Sequence, residues 1–230
     1  MSTPAMQRYA AEIFRLQQDM PHVGLNDLAE SANSSLQATA RMVTRMKQLD
    51  YVEHELYRGV RLTPKGEKIA MPALRRHRLV EVFLVKVMKY GWDDAHELSD
   101  TFALGVNDQV EDRMDEITGH PTRCPHGEPI PSKDGVMPVV QDVNLLEVPS
   151  GSDCVISRVR THDGDKLRYI AELGLVPGTQ FHLLSCAPFK GPLNLQMQQH
   201  HHLIGYELAG SLWVEVAKLG EGNKLPPKKI

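Results

Sequence analysis

Three cysteines, Cys124, Cys154 and Cys186, are too few and too scattered to staple this chain, and an odd number leaves one without a mate. A disulfide framework is thereby excluded and a reducing compartment expected. Aromatic residues are sparse: two Trp, six Tyr and five Phe. No apolar run approaches the roughly 20 residues that a membrane-spanning helix needs, so the bilayer is not expected to be this protein's solvent. The opening MSTPAMQRYAAEIF has no basic start followed by a greasy segment and a small-residue cleavage site, and the cytoplasm is the expected location. A formal net charge of -3 gives no dominant sign. It excludes a uniformly basic surface but leaves room for a local basic face.

What is present is helical spacing and punctuation. At 230 residues the chain exceeds the usual single domain, so two or three modest domains are expected. Tyr9, Ile13, Leu16 and Met20 recur at helical spacing until Pro21 and Gly24 break the pattern. A short amphipathic segment, LNDLAESAN, is followed by a longer one in which Ser34 is the expected cap. Leu36, Ala40, Val43, Met46 and Leu49 form its apolar stripe. A short helix, a tight turn and a longer helix make a helix-turn-helix. YVEHELYRGVRLT then predicts a two-stranded hairpin turning at Tyr57, Arg58 and Gly59, a wing, and Pro64 opens another helix. The stretch through Leu79, Val80, Phe83, Leu84 and Val87, then DDAHELSDTFALGVNDQVEDRMDEI, reads as two long helices with enough apolar face for a homodimer interface.

Residues 119–150 are rich in Pro and Gly and read as a connector holding one short regular piece around VVQDVNLLEV. Beyond it DCVISRVR, TQFHLLSC, LNLQM, LIGYEL and LWVEV are strand-like, with one helix at KLRYIAEL closed by Gly174. Five short strands in about seventy residues predict a small barrel. The reading is therefore α+β: a winged helix-turn-helix at 1–71, a helical dimerization and metal-binding domain at 72–137, a linker at 138–150, a five-stranded barrel at 151–220 and a frayed tail at 221–230.

The connector contains GHPTRCPHGEPIP, where Cys124 and His126 sit two apart in a segment that prolines keep from being a helix. Sulfur and imidazole together suit Fe²⁺ or Zn²⁺, and oxygen donors added to them suit Mn²⁺ or Fe²⁺. The same residues admit other readings: a rigid turn, a Cys-Pro haem ligand, or a thiol enzyme with His126 as base. The last lacks any third orienting group or oxyanion donor. Three adjacent histidines, His200, His201 and His202, fall on a strand that sends neighbours to opposite faces, which reads as a surface strand.

A winged helix-turn-helix, then RHRLVEVFLV, then GHPTRCPHGEPIP, then a barrel with AELGLVPGTQF and IGYELAGSLWVEV resembles the diphtheria-toxin-repressor family of iron- and manganese-dependent transcription regulators. The likeness runs over nearly the whole chain. It is strongest to the three-domain manganese branch with a C-terminal FeoA-like barrel. It implies a repressor of manganese or iron homeostasis genes, active as a dimer on a palindromic operator, and no enzyme. It also implies a divalent cofactor, manganese or iron(II) with zinc possible. By the same resemblance the ligands map onto Glu81, Cys124, His126 and Asp163, with Asp165 as substitute, and His77 and His96 serve as ancillary ligands. The family's activating site departs from its pattern: the corresponding positions hold Arg8, Asp100, Ala103 and Leu104, of which only Asp100 is a metal donor. That leaves three alternatives: an ion only at the first site; Asp93, His96 and Glu97 as stand-in donors; or Arg8 replacing the cation, which is a metal-independent regulator of the same fold. For DNA, Ser35, Gln37, Ala38 and Arg41 are expected at base edges, and Arg45, Lys47, Arg58 and Lys65 at phosphates.

Overall fold

In a computed structural model the described residues are 2–55, 57–161 and 163–219. The expected tail at 221–230 lies outside them. They divide into two compact units, Met1–Leu79 with Ile130–Pro138, and Val80–Pro129 with Val139–Ile230. Among the described residues no helix is long and apolar enough to cross a membrane.

In the first unit α1 (Pro4–Leu16), α2 (Leu25–Ser31) and α3 (Leu36–Gln48) precede a hairpin of β1 (Val52–Glu55) and β2 (Gly59–Leu62), and α4 (Pro64–Lys86) follows. Thr3 caps α1 and Pro4 begins it, where a missing N–H costs nothing. The hairpin register is Val52↔Leu62 to Glu55↔Gly59. Val60 and Val23 exchange both backbone hydrogen bonds, tying the wing to the turn before α2. An added Cβ at Gly59, at φ +114°, would stand 2.5 Å from the Val23 carbonyl oxygen, so this approach requires glycine. One core gathers Met6, Ile13, Val23, Leu28, Val43, Met46, Val60 and Leu74.

The expected cap of α3 moves by one residue. Ser35, not Ser34, accepts from the Ala38 N–H at 3.2 Å. Leu36 thereby becomes the first helical residue and is 50 % exposed, outside the apolar stripe in which it was expected. The buried face is Thr39, Val43 and Met46, and Tyr9 Oη meets Thr39 Oγ1 at 3.2 Å.

In the second unit the last part of α4 packs with α5 (Trp92–Ala103) and α6 (Asp108–Ile117) through Val80, Leu84, Ala95, Val106 and Met114. One continuous helix was expected across residues 93–117. Two form instead, because Gly105 interrupts the run and Asn107 accepts from the Val110 N–H at 3.0 Å, capping α6.

A six-stranded antiparallel sheet completes this unit, in the order β3-β8-β4-β5-β6-β7. Its strands are β3 (Val143–Asn144), β4 (Ser152–Val159), β5 (Gln180–Cys186), β6 (Leu193–Met197), β7 (His200–Ile204) and β8 (Leu212–Lys218), with α7 (Gly164–Glu172) and α8 (Tyr206–Gly210) between them. The sixth strand is β3: the short piece expected in the linker pairs with β8. LIGYEL is divided, with Ile204 ending β7 and Tyr206 starting α8. Gly174 closes α7 at φ +71° as the sequence predicts. The three histidines lie on β7, at the edge of the sheet.

Candidate metal centre

Glu81, on the buried side of α4, is 2 % exposed. A charged carboxylate there costs several kcal/mol unless it is paired. Two imidazoles flank it: His96 Nδ1 of α5 stands 2.9 Å from its Oε1, within hydrogen-bond distance, and His126 Nδ1 stands 3.4 Å from the same atom. Cys124 Sγ is 3.8 Å from His126 Nδ1. Donor atoms of Glu81, Cys124 and His126 all lie within 4.8 Å of one another, and all three residues are buried. Oxygen, nitrogen and sulfur thus converge where water has little access, a donor set that fits a divalent transition metal.

The loop from Arg123 to Pro129 presents two of these donors. Cys124 N–H donates to the Glu128 carbonyl and Gly127 N–H to the Cys124 carbonyl, both at 2.9 Å, and Arg123 and Pro129 form an antiparallel bridge. The ring of His126 stacks on Trp92, centroids 5.2 Å apart and planes 19° apart. Its Nε2 stands 3.0 Å from the Trp92 carbonyl oxygen. A carbonyl only accepts, so Nε2 donates there, which leaves Nδ1 as the ring nitrogen turned to Glu81 and Cys124 and free to hold an ion.

Gly127 holds φ +85°, and a Cβ added there would run into the Ser157 carbonyl oxygen of β4. Both constraints select glycine. Gly127→Ala is expected to displace the loop from β4, costing about 1–3 kcal/mol from backbone strain alone, and to weaken metal binding with it. Thermal unfolding and a metal titration check both effects; a variant with native metal affinity contradicts this account of the loop.

Of the other residues expected to be ligands, Asp163 stands outside the cluster. It is exposed and caps α7, its Oδ1 accepting from the N–H groups of Asp165 and Lys166 at 3.0 and 3.1 Å. Asp165 pairs with Arg168 at 2.9 Å. His77 is buried on α4, one turn before Glu81, and its Nε2 lies 3.5 Å from Arg15 Nη1. On α5, Asp100 is exposed and Ala103 half-buried, and Leu104, just past its end, is exposed; Arg8 on α1 is half-buried and its Nε has no hydrogen-bond partner among the described residues.

On α3 the side chains of Gln37, Arg41 and Arg45 are exposed, Ala38 is half-buried, and Ser35 is engaged as the cap. Lys47 Nζ donates to the His54 carbonyl at 3.1 Å and Lys65 Nζ to the Leu49 carbonyl at 2.8 Å. Arg58 pairs with Glu55 at 2.8 Å, and that bond holds the Glu55 carboxyl below the usual range.

The family model for the iron-dependent repressor metal binding and dimerisation domain matches residues 63–132, and that for the FeoA domain matches residues 143–216. The HTH-type transcriptional regulator MntR of Shouchella clausii is 35 % identical over 118 residues, 51 % of this chain and 79 % of that protein. This chain belongs to the diphtheria-toxin-repressor family. A second family member, the iron-dependent repressor IdeR of Mycobacterium tuberculosis, is 29 % identical over 165 residues, 66 % of this chain and 72 % of its own. Among solved structures of the family, IdeR of T. acidophilum superposes with a TM-score of 0.80 at 27 % identity, covering 94 % of this chain and 99 % of that one. A manganese-dependent transcriptional repressor in complex with manganese superposes at 0.84 with 28 % identity, covering 92 % and 99 %. These relatives are transcription regulators, not enzymes, and the burial of Cys124 denies a thiol nucleophile its substrate. Cys154 is no better placed, since burial pushes its thiol up to about 12.

Two contributors to this centre escape sequence reading. Trp92, which holds the His126 tautomer, and Arg158, whose guanidinium reaches Glu128 of the loop, are remote from it in sequence. The one available signal is that Trp92 is one of only two tryptophans in the chain.

Proposed function

We propose that this protein is a metal-dependent, DNA-binding transcriptional repressor of manganese or iron homeostasis genes, acting in the cytoplasm as a homodimer on a two-fold operator. The observation that carries the reading is the buried Glu81, Cys124 and His126 set in a chain of this family. Those three residues would hold the ion, with Mn²⁺ or Fe²⁺ as its identity and Zn²⁺ admitted by the sulfur donor. When bound, the divalent charge neutralises a buried carboxylate and thiolate that are otherwise costly to hold together. The protein's own part is to orient the His126 ring through the Trp92 carbonyl, so that Nδ1 faces the cluster, and to hold the loop in register. Asp163 is carried over from the resemblance alone, and His77 and His96 remain ancillary.

For dimerization, Leu98 and Phe102 of α5 and Val110 and Ile117 of α6 are exposed apolar side chains in the region matched by the dimerisation-domain model, and suit a second copy. Two-fold pairing presents two α3 helices to two half-sites, with Gln37, Ala38 and Arg41 at base edges, and Ser35 both capping and facing the groove. Arg45, Lys47, Arg58 and Lys65 would meet phosphates, the lysines and Arg58 releasing their weak surface contacts.

The test is binding of a fluorescent duplex from the promoter region upstream of the gene, at fixed salt, in chelator and then with added Mn²⁺, Fe²⁺ or Zn²⁺. Tighter binding with metal is expected; the same affinity in chelator contradicts metal dependence. A second reading follows from the unpartnered Nε of Arg8 at a position where the family places a metal ligand. If Arg8 stands in for the activating cation, Arg8→Ala weakens DNA binding in chelator, and unchanged affinity there removes this reading.

A further inference from the structure

The metal-binding loop is fastened to a strand that supplies none of the three clustered donors. Val159 N–H of β4 donates to the His126 carbonyl at 2.8 Å. Arg123 Nη1 bridges the Gly127 carbonyl at 2.9 Å and Ser157 Oγ of β4 at 3.0 Å. The central fastener is Arg158, near the end of β4. Its Nε and Nη2 grip Asp142 at 2.7 Å each, its Nη1 reaches Glu128 at 3.4 Å, and its guanidinium lies 5.0 Å from the centre of the Trp213 ring. Burial works against the charge of Arg158, and the bonds to Asp142 and Glu128 more than restore it. Arg160 packs on the same Trp213 ring at 4.9 Å and reaches Glu128 at 3.8 Å. Trp92 packs against the core of the sheet while its carbonyl meets His126 Nε2.

We propose that the FeoA-like sheet sets the metal affinity of the Glu81, Cys124 and His126 centre through Arg158, a positioning residue that fixes the loop. This rests on the reading of that centre as a metal site. The physical reason is pre-organisation. A free loop loses conformational freedom whenever it presents two ligands, and a loop already ordered on β4 does not. Partners that orient ligands commonly control affinity by about 10–100-fold. Arg158 is suited to the task because one planar fork grips Asp142 with two bonds, extends a third arm to Glu128 and lies within 5.0 Å of an indole ring centre. A lysine keeps the charge and loses the geometry. The sheet thereby acts on the ion without touching it, and anything that disturbs the β4 end of the sheet would be felt as a change in metal affinity.

The test uses the full chain and Co²⁺, whose absorption reports thiolate ligation directly, with a competing chelator to measure the dissociation constant. Arg158→Lys is expected to bind Co²⁺ about 10–100-fold more weakly with a reduced or shifted thiolate band, while metal-free thermal unfolding stays close to that of the parent protein. Native affinity and an unaltered band in Arg158→Lys overturn the proposal. Should Arg158→Lys fail to fold, Glu128→Gln weakens the loop-side contact of Arg158, together with that of Arg160, and leaves the Asp142 pair. It is expected to show a smaller loss in the same direction, and no loss overturns the proposal equally. Cys124→Ser runs alongside. If it retains Co²⁺ affinity and the band, the metal centre itself is misassigned and the positioning proposal falls with it; if it loses both, the Arg158 result stands by itself.

Discussion

Replacing Cys124 with Ser is expected to weaken Fe²⁺ or Zn²⁺ binding at least about 100-fold, beyond what loss of an orienting partner costs, and to abolish the metal-induced gain in DNA affinity. The metal-free variant should be as stable as the parent protein or more so. In the absence of an ion the cluster confines a carboxylate, two imidazoles and a thiol in a space with little water, and such clusters are poor sources of stability. Glu81→Gln should behave in the same way, because it removes the charge that the buried site is built around while keeping the shape. Metal titration against a competing chelator and thermal unfolding of the metal-free protein check both halves. A variant that binds metal normally, or one that loses metal only because it unfolds, contradicts the assignment.

The second large effect is expected at the recognition helix. Arg41 is exposed on α3 and makes no ion pair among the described residues, so its five donors are available to a base edge. Arg41→Ala is expected to cost about 1–3 kcal/mol of operator affinity and to relax specificity at one base-pair position. Arg45→Ala should instead weaken binding to all sequences alike and reduce the salt-dependence slope by about 1. Binding isotherms at several salt concentrations, on an operator fragment and a scrambled one, separate the two behaviours. If both variants change only the salt slope, α3 grips phosphate and does not read bases.

The sequence makes the N-terminal architecture legible because its signals are local. Thr3 and Pro4, the apolar spacing through Val43 and Met46, the Tyr57 to Gly59 turn and Pro64 each act within a few residues of where they stand. Where the reading slips, a local cap has won over periodicity: Ser35 displaces Ser34, and Asn107 splits the run expected as one helix. Asp163 also carries a local capping signal. The resemblance suggests a ligand, and an Asp placed before Gly164 and Asp165 also reads as an N-cap, the role its Oδ1 takes in this structure.

The loop was legible in part. CPHG announces sulfur and imidazole on a stiff backbone, whereas Glu81 is reached only through the family resemblance. Nothing local announces that Trp92 fixes the tautomer of His126, or that Arg158 binds Asp142 and Glu128 at once. Those contacts join residues about 16 to 34 positions apart, and only the packing of the sheet against the helices creates them. The positions that the resemblance assigns to an activating site are the reverse case: the sequence by itself shows alanine and leucine at 103 and 104, whose side chains offer no donor atoms.

The most direct test of the account is anomalous diffraction from crystals grown with Mn²⁺, Fe²⁺ or Zn²⁺, measured at the absorption edge of the ion. The account predicts a single strong peak within bonding distance of Glu81, Cys124 and His126. A peak beside Asp100 with none at the buried cluster, or no peak in crystals of protein whose DNA affinity still rises with metal, would contradict it.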